Sequence, residues 1–135
     1  MPHLDAQNVK INKREDLGFV CYELTEDDLL LVHIGDDVMI DLEKATQMDA
    51  AMRKITEERP KKVMVFNGQY TSADPQAREF LASRAKLKQI AKCSVLIHSL
   101  SQRLLANFFI RVNKPPFPIR FFNTKEAAEK WLLND

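Results

Sequence analysis

The sequence predicts one α/β domain, built from a mixed sheet of about five strands with about four helices packed on it. Two observations lead to this fold class. The chain has 135 residues, close to the usual size of a single domain. After a leading pair of strand-like segments, short apolar runs alternate with segments in which apolar residues recur every three or four positions. Such alternation is typical of strands separated by amphipathic helices.

A β-hairpin is predicted to open the domain. Residues 17–24 and 29–35 are strand-like runs, joined by the polar sequence Thr-Glu-Asp-Asp. Residues 1–16 precede the hairpin as a tail or an added edge strand, which leaves residues 17–135 as the domain. The later strands need parallel crossovers because helices separate them, whereas the hairpin is antiparallel. We therefore expect a mixed sheet.

N-caps and prolines mark the first two helices. Asp41 is a favourable N-cap for a helix that continues to about Glu58, and Pro60 stops it. Asp74 followed by Pro75 is a start signal for the second helix. This helix is expected to break before a second apolar turn at Leu87, Ile90 and Ala91. Buried strands are predicted at residues 61–66, 94–99 and 119–122.

The third helix is predicted to begin at Ser99 or Ser101 and to pack one apolar face on the sheet. That face comprises Leu104, Leu105, Phe108, Phe109 and Val112. The sequence Lys-Pro-Pro-Phe-Pro at residues 114–118 cannot be helical and is expected to be an extended connection. Thr124 caps the final helix, whose Ala127, Ala128, Trp131 and Leu132 are predicted to face the sheet.

Composition excludes several functional classes. The three glycines lie too far apart for a phosphate-binding loop, so no nucleotide cofactor is expected. Cys21 and Cys93 occur in separate apolar runs without Cys-x-x-Cys spacing, which indicates reduced thiols and no structural zinc. Neither a signal peptide nor an apolar stretch of transmembrane length is recognisable. A cytoplasmic protein is therefore expected.

Charge is divided unequally along the chain. Residues 1–58 contain 6 Lys and Arg against 14 Asp and Glu, whereas residues 59–135 contain 14 against 5. Oppositely charged faces of one domain would produce this division. A dipolar molecule that associates with itself, or that is steered toward a charged partner, is the alternative. With a pI of 7.8 and no concentrated basic stripe, binding to nucleic acid is not expected.

The order of elements, with a closing sequence Phe-Asn-Thr-Lys-Glu-Ala-Ala-Glu-Lys-Trp-Leu, resembles the SpoIIAA-like branch of the STAS superfamily. The chain is also similar, from about residue 17 to residue 133, to an uncharacterised bacterial STAS-like family. The segments Asn-Phe-Phe at 107–109 and Asn-Lys-Pro-Pro-Phe-Pro at 113–118 carry that likeness, supported by residues 72–81. The resemblance implies a regulatory interaction module, such as an antagonist of an anti-sigma factor. Some members bind nucleotides or lipids.

Regulated STAS proteins carry a phosphorylated serine at the start of the second helix. In this chain Asp74 stands at or beside that position, and no glycine follows two residues later. Thr71 and Ser72 precede it in the loop. An aspartate carries a permanent single charge, so control by phosphorylation does not transfer to this position. The local interpretation of Asp74 is an N-cap.

Ligands of open α/β sheets bind beyond the carboxyl ends of the strands, which directs attention to residues 67–74, 98–101 and 123. We expect these segments to form one rim. His98 with Ser99, Ser101 and Asp74 includes the residue types of a hydrolase, but no Gly-x-Ser-x-Gly sequence accompanies them, so no catalytic residue and no metal site are assigned. The candidate interaction or regulatory residues are Asn67, Thr71, Ser72, Asp74, His98 and Ser101.

Two functional hypotheses remain. The first is a non-enzymatic regulatory or protein-interaction module, with a protein partner or self-association, that uses residues 67–75. The second is a carrier of a small molecule or lipid with a pocket under the third helix. Phe108 and Phe109, with Arg103, Arg111 and Lys114 nearby, could face a lipid or a membrane surface. Packing of both phenylalanines in the core is the simpler interpretation.

Overall fold

The computed structural model of the protein describes residues 10–84 and 90–134. The strands are β1 (Ile11–Asp16), β2 (Val20–Thr25), β3 (Leu29–Ile34), β4 (Met39–Ile40), β5 (Lys61–Phe66), β6 (Ser72–Ala73), β7 (Ile90–Leu96) and β8 (Ile119–Phe122). The main sheet has six strands in the order β1-β2-β3-β5-β7-β8, and a separate two-stranded sheet pairs β4 with β6. The helices are α1 (Leu42–Thr56), α2 (Pro75–Arg84), α3 (Leu100–Phe108) and α4 (Lys125–Leu133), and a π-helical turn, Phe109–Asn113, continues α3.

The predicted mixed α/β sheet with a leading hairpin is confirmed. Strands β2 and β3 pair antiparallel, from Val20 opposite Ile34 to Leu24 opposite Leu30. Strands β3, β5, β7 and β8 are parallel to one another. The sheet has six strands, one more than expected, because Ile11–Asp16 adds an edge strand to β2. Its sequence is Ile-Asn-Lys-Arg-Glu-Asp, which lacks the apolar alternation of a half-buried strand.

Side-chain caps begin the helices where the sequence predicts. Asp41 Oδ1 accepts a hydrogen bond from Lys44 N at 2.8 Å, and Asp74 Oδ1 accepts one from Ala77 N at 2.8 Å. Ser99 caps α3 and Thr124 caps α4 in the same way. Each such cap satisfies a backbone N–H that has no partner within the helix.

The predicted end of α1 and both predicted ends of β7 are wrong. Helix α1 ends at Thr56, two residues earlier than predicted, because Glu57 and Glu58 adopt left-handed backbone conformations. Strand β7 begins at Ile90, where Ile90 pairs with Lys61, so Ile90 and Ala91 belong to a strand and not to a second turn of helix. It ends at Leu96 instead of residue 99. Leu87 lies outside the described residues.

Apolar side chains fill both faces of the sheet. One core lies between the sheet and helices α1 and α2. It includes Leu30, Val63, Val95, Ala45 and Ala77. The other core lies under α4, where Ala128 and Leu132 contact Leu31 and Met64. The alternation of side chains along β5, with Val63 on one face and Met64 on the other, produces the two cores.

The loops that follow β3 and β5 cross at two glycines. A Cβ atom added to Gly68 would lie 2.4 Å from both the carbonyl carbon and the oxygen of Gly35. Hydrogen bonds hold the crossing: Gln69 N donates to Asp36 Oδ1 at 2.8 Å, and Asp37 N donates to Gln69 O at 2.8 Å. Only the absence of a side chain at Gly68 permits this approach.

Replacing Gly68 by alanine should therefore destabilise the protein by about 1 to 3 kcal/mol, because the new methyl group forces two backbone segments apart. Gly35→Ala is the matched control, since its Cβ would meet its nearest neighbours at an ordinary 3.6 Å. Urea unfolding of both variants measures the difference. Equal stabilities of the two variants would contradict the steric account.

Candidate functional site

The carboxyl ends of the parallel strands bring the predicted rim together. Residues 67–74 follow β5 and residues 97–99 follow β7, and a hydrogen bond of 2.7 Å joins His98 Nε2 to Asn67 O. Thr71 Oγ1 donates to Gly35 O at 2.8 Å, across the loop that follows β3. Arg103 reaches the end of β8, where it donates to Phe121 O and Asn123 Oδ1. Four loops therefore form one connected edge.

Gln102 connects these loops from α3, and the sequence analysis did not identify it. Its Nε2 donates to Gly68 O at 3.1 Å and to Thr71 O at 3.2 Å, while its Oε1 accepts from His98 N at 2.7 Å. The side chain is 7% exposed. A signal was present in the sequence: Gln102 is a polar residue four positions before Ala106, on the face of α3 that packs inward.

The residues that suggested a hydrolase have other partners. His98 donates from Nε2 to a backbone carbonyl, Ser99 Oγ accepts from Gln102 N, and Asp74 Oδ1 accepts from Ala77 N. Ser101 is exposed on the first turn of α3. Within the described contacts, none of these four side chains bonds to another, so they do not form a nucleophile and base pair.

Thr71 and Ser72 differ in accessibility. Thr71 is buried, and its hydroxyl donates a hydrogen bond to Gly35 O. Ser72 lies in β6, half-buried, with its Oγ 3.5 Å from Met39 Sδ. Met39 and Tyr70, which flank it, are among the exposed large apolar residues. The predicted contact surface at residues 67–75 therefore has an apolar border around Ser72.

Two neighbouring cavities adjoin the sheet, the first under α3 and the second under Phe109 of the π-helical turn. The first has a volume of about 180 Å³ and lies at the rim, where Thr71, Ser72 and Gln102 border it. The second, of about 190 Å³, lies nearer α1. Five apolar side chains line both cavities: Ile40, Leu81, Val95, Phe109 and Ile119. The two cavities therefore lie side by side, and these five side chains separate them.

The second cavity has neutral or charge-paired walls. Burial raises the pKa of the Cys93 thiol to about 12, and burial raises the pKa of the Tyr22 phenol above its ordinary value. Asp49 also borders this cavity, and Arg53 Nε lies 3.9 Å from its Oδ2. The first cavity differs, because the charged residue Arg78 is among those that line it.

The outer side of α3 carries a second apolar row. Leu100, Leu104, Phe108 and Val112 are 74%, 62%, 43% and 54% exposed. They follow one another at intervals of four, so they lie along one side of the helix, and we call them the α3 ridge. Arg103 and Arg111 lie in the neighbouring row. The described part of the chain leaves the ridge uncovered.

The prediction that Phe108 packs in the core is wrong, and so is that for Leu104 and Val112. Gln102 and Ala106 are the buried residues of α3, and they define its inner side. Phe109, half-buried, lines both cavities, whereas Phe108 faces outward with Arg78 Cζ 5.2 Å from its ring centroid. Helix α3 therefore has one apolar row that faces inward and another that faces outward. The spacing of apolar residues in the sequence does not distinguish the two rows.

This architecture, a leading hairpin, parallel strands with crossover helices and one helix on the second face, defines a SpoIIAA-like fold. A crystal structure of an uncharacterized protein of the DUF3478 family with a SpoIIAA-like fold, from Shewanella loihica PV-4, matches with a TM-score of 0.55. The match covers 96% of this chain and 98% of that chain at 14% sequence identity, so it shows the fold alone.

Residues 22–134 match the family described as Domain of unknown function (DUF7793). The chain belongs to that family. Among curated proteins, none matches the sequence significantly. In residues 10–84 and 90–134, no helix has the length and hydropathy that crossing a bilayer requires.

Gln102→Leu should lower the free energy of unfolding by about 2 to 4 kcal/mol, because three backbone groups, one in a buried and two in part-buried hydrogen bonds, would lose their partner. Ser101→Ala is the control, since Ser101 is exposed on the same turn, and it should change stability by less than about 0.5 kcal/mol. Chemical denaturation measures both effects. A Gln102→Leu variant as stable as the wild type would show that Gln102 does not hold the rim together.

Proposed function

We propose that the protein is a non-enzymatic binding module that holds a small apolar molecule between α3 and the sheet. The pair of adjacent cavities carries this proposal. Their shared walls are aliphatic and aromatic, and polar groups are confined mainly to the rim end. Ligand sites of proteins commonly combine an apolar lining with a few polar groups at one end.

The volumes suit a small ligand. An apolar cavity of about 150 Å³ is large enough to bind benzene. Each cavity here is somewhat larger, at about 180 and 190 Å³. A rotation of Phe109 or Leu81, which border both spaces, would join them into one elongated site. The occupant is therefore a molecule of modest length and not a bulky cofactor.

The rim supports a binding role over a catalytic one. Its polar side chains bond mostly to the backbone of neighbouring loops, as Gln102, Thr71 and His98 do. Such contacts fix the shape of the site. A hydrolase would need a nucleophile with a base in contact, which the four residues considered above do not provide.

Benzene is a direct probe of the cavities. It should raise the Tm of the wild-type protein by about 3 to 6 °C at ten times its Kd, because it binds the folded state alone. Ala106→Leu places extra methyl groups in the first cavity and should reduce the shift, since the second cavity, which Ala106 does not line, stays open. Ala50→Leu makes the same change at an exposed position of α1 and should retain the full shift.

Native mass spectrometry of the purified protein adds a second measurement. A co-purified small molecule, reduced in Ala106→Leu and kept in Ala50→Leu, is the expected result. A wild-type protein that shows neither a benzene shift nor a bound molecule would overturn the proposal. An undiminished benzene shift in Ala106→Leu would place the binding elsewhere.

A second candidate function is regulation through a protein partner, and the exposed α3 ridge favours it. Large contiguous apolar surfaces on monomers commonly mark interaction sites. No acidic residue occurs between Glu79 and Glu126, while Arg103 and Arg111 flank the ridge. A partner with an apolar groove bordered by carboxylates would complement this surface. The border around Ser72 offers a second contact area on the same module.

Leu104→Glu should abolish complexes that are captured from the native host by cross-linking and measured by light scattering. Ile11→Glu, at an exposed apolar position of β1, should leave them intact. Loss of the complexes in Ser72→Glu, but not in Leu104→Glu, would instead assign the contact to residues 67–75. Complexes unaffected by either change would rule out both surfaces.

A further inference from the structure

We infer that the molecule bound under α3 is a monoanionic carboxylate with a short apolar chain, and that Arg78 binds its carboxylate group. The inference rests on the proposed binding function and names the chemical class of the ligand. It starts from the charged side chain that borders the first cavity, in a wall that is otherwise mostly apolar.

Arg78 is held at the cavity by two contacts. One terminal nitrogen, Nη1, donates to Ala73 O, and its Cζ lies 5.2 Å from the centroid of the Phe108 ring. The side chain is half-buried. The guanidinium is thus held between the backbone just before α2 and the ring of the last residue of α3, and Arg78 lines the first cavity there.

The described part of the chain leaves the charge of Arg78 uncompensated. No carboxylate in residues 10–84 or 90–134 forms an ion pair with it, and its buried Nε has no hydrogen-bond partner there. Removing a guanidinium from water without an anionic partner is unfavourable. An anion in the cavity would supply the missing partner.

The surrounding sequence does not offer a substitute. Glu79 and Glu126 bound a stretch without acidic residues, and that stretch contributes α3, β7 and β8 to the walls. Glu79 directly follows Arg78 and is exposed, and Asp74, four residues before Arg78, accepts from Ala77 N through its Oδ1 as the α2 cap. Within the described residues neither carboxylate pairs with Arg78, so an anion bound in the first cavity would be its ionic partner.

The charge and form of the site indicate a carboxylate. One guanidinium balances one negative charge, and its planar donors match the two oxygens of a carboxylate. Asn67, Ser72 and Gln102 line the same cavity and add uncharged polar groups. A phosphate monoester carries close to two charges at neutral pH and would need a further cation at this position.

The apolar part of the ligand follows from the remaining walls. From Arg78 the first cavity leads past Leu105 and Phe109, and the second continues behind the shared side chains toward Val63 and Met52. By comparison with benzene in a cavity of about 150 Å³, roughly eight carbons fill one of these spaces. Octanoate is therefore a suitable probe, and 1-octanol is its uncharged counterpart.

Isothermal titration of the wild-type protein with both probes tests the inference. Octanoate should bind at least tenfold more tightly than 1-octanol. In Arg78→Met, octanoate should lose at least tenfold in affinity, while 1-octanol and benzene bind as they do to the wild type. Retained benzene binding shows that the cavity of this variant is intact. Arg78→Lys keeps the charge without the planar donors. Its affinity for octanoate should lie between those of the wild type and Arg78→Met.

Arg111→Met is the matched control, because Arg111 is an exposed basic residue of the π-helical turn and does not line either cavity. It should bind octanoate like the wild type. An equal loss in Arg111→Met would indicate a long-range effect of net charge and would overturn the assignment to Arg78. So would equal binding of octanoate and 1-octanol to the wild type, although benzene binding would then leave the proposed function standing. Failure of all three probes would overturn both.

Discussion

The close approach of Gly35 and Gly68 is the constraint on which the carboxyl edge of this sheet depends. It brings the loops after β3 and β5 to within backbone contact, and each loop then enters one strand of the small β4–β6 sheet. Helices α1 and α2 both start directly after those strands. The positions of two helices are thus fixed by a contact between two residues that have no side chain.

Gln102 extends the same constraint to α3. Because its amide bonds to Gly68 O and Thr71 O, the start of α3 is held against the loop that crosses Gly35. Further along α3, where Ala106 is small and Phe109 is half-buried, the helix and its π-helical turn stand away from the sheet. Because hydrogen bonds fix only the start of α3 and the rest of the helix packs loosely, space remains beneath it. The cavities occupy that space.

Much of the fold could be predicted because local signals and tertiary contacts agree. Asp41, Asp74, Ser99 and Thr124 are caps both by residue type and by observed hydrogen bond. The predictions are wrong where one pattern of apolar residues fits both a helix and a strand. Ile90 suits a helix or a strand, and its pairing with Lys61 decides for the strand. The candidate site was only partly predictable, since Gln102 and Arg78 acquire their roles from loops distant in sequence.

The two edges of the main sheet are protected by different means. Strand β1, with its sequence Ile-Asn-Lys-Arg-Glu-Asp, presents charged side chains along one margin. Strand β8 has four residues, includes Arg120, and follows the proline-rich segment at 114–118. Charges, prolines and short length all discourage an open edge from recruiting another chain. Polymerisation by strand addition is thereby disfavoured at both edges of the sheet. A second molecule would therefore bind to the helical surfaces.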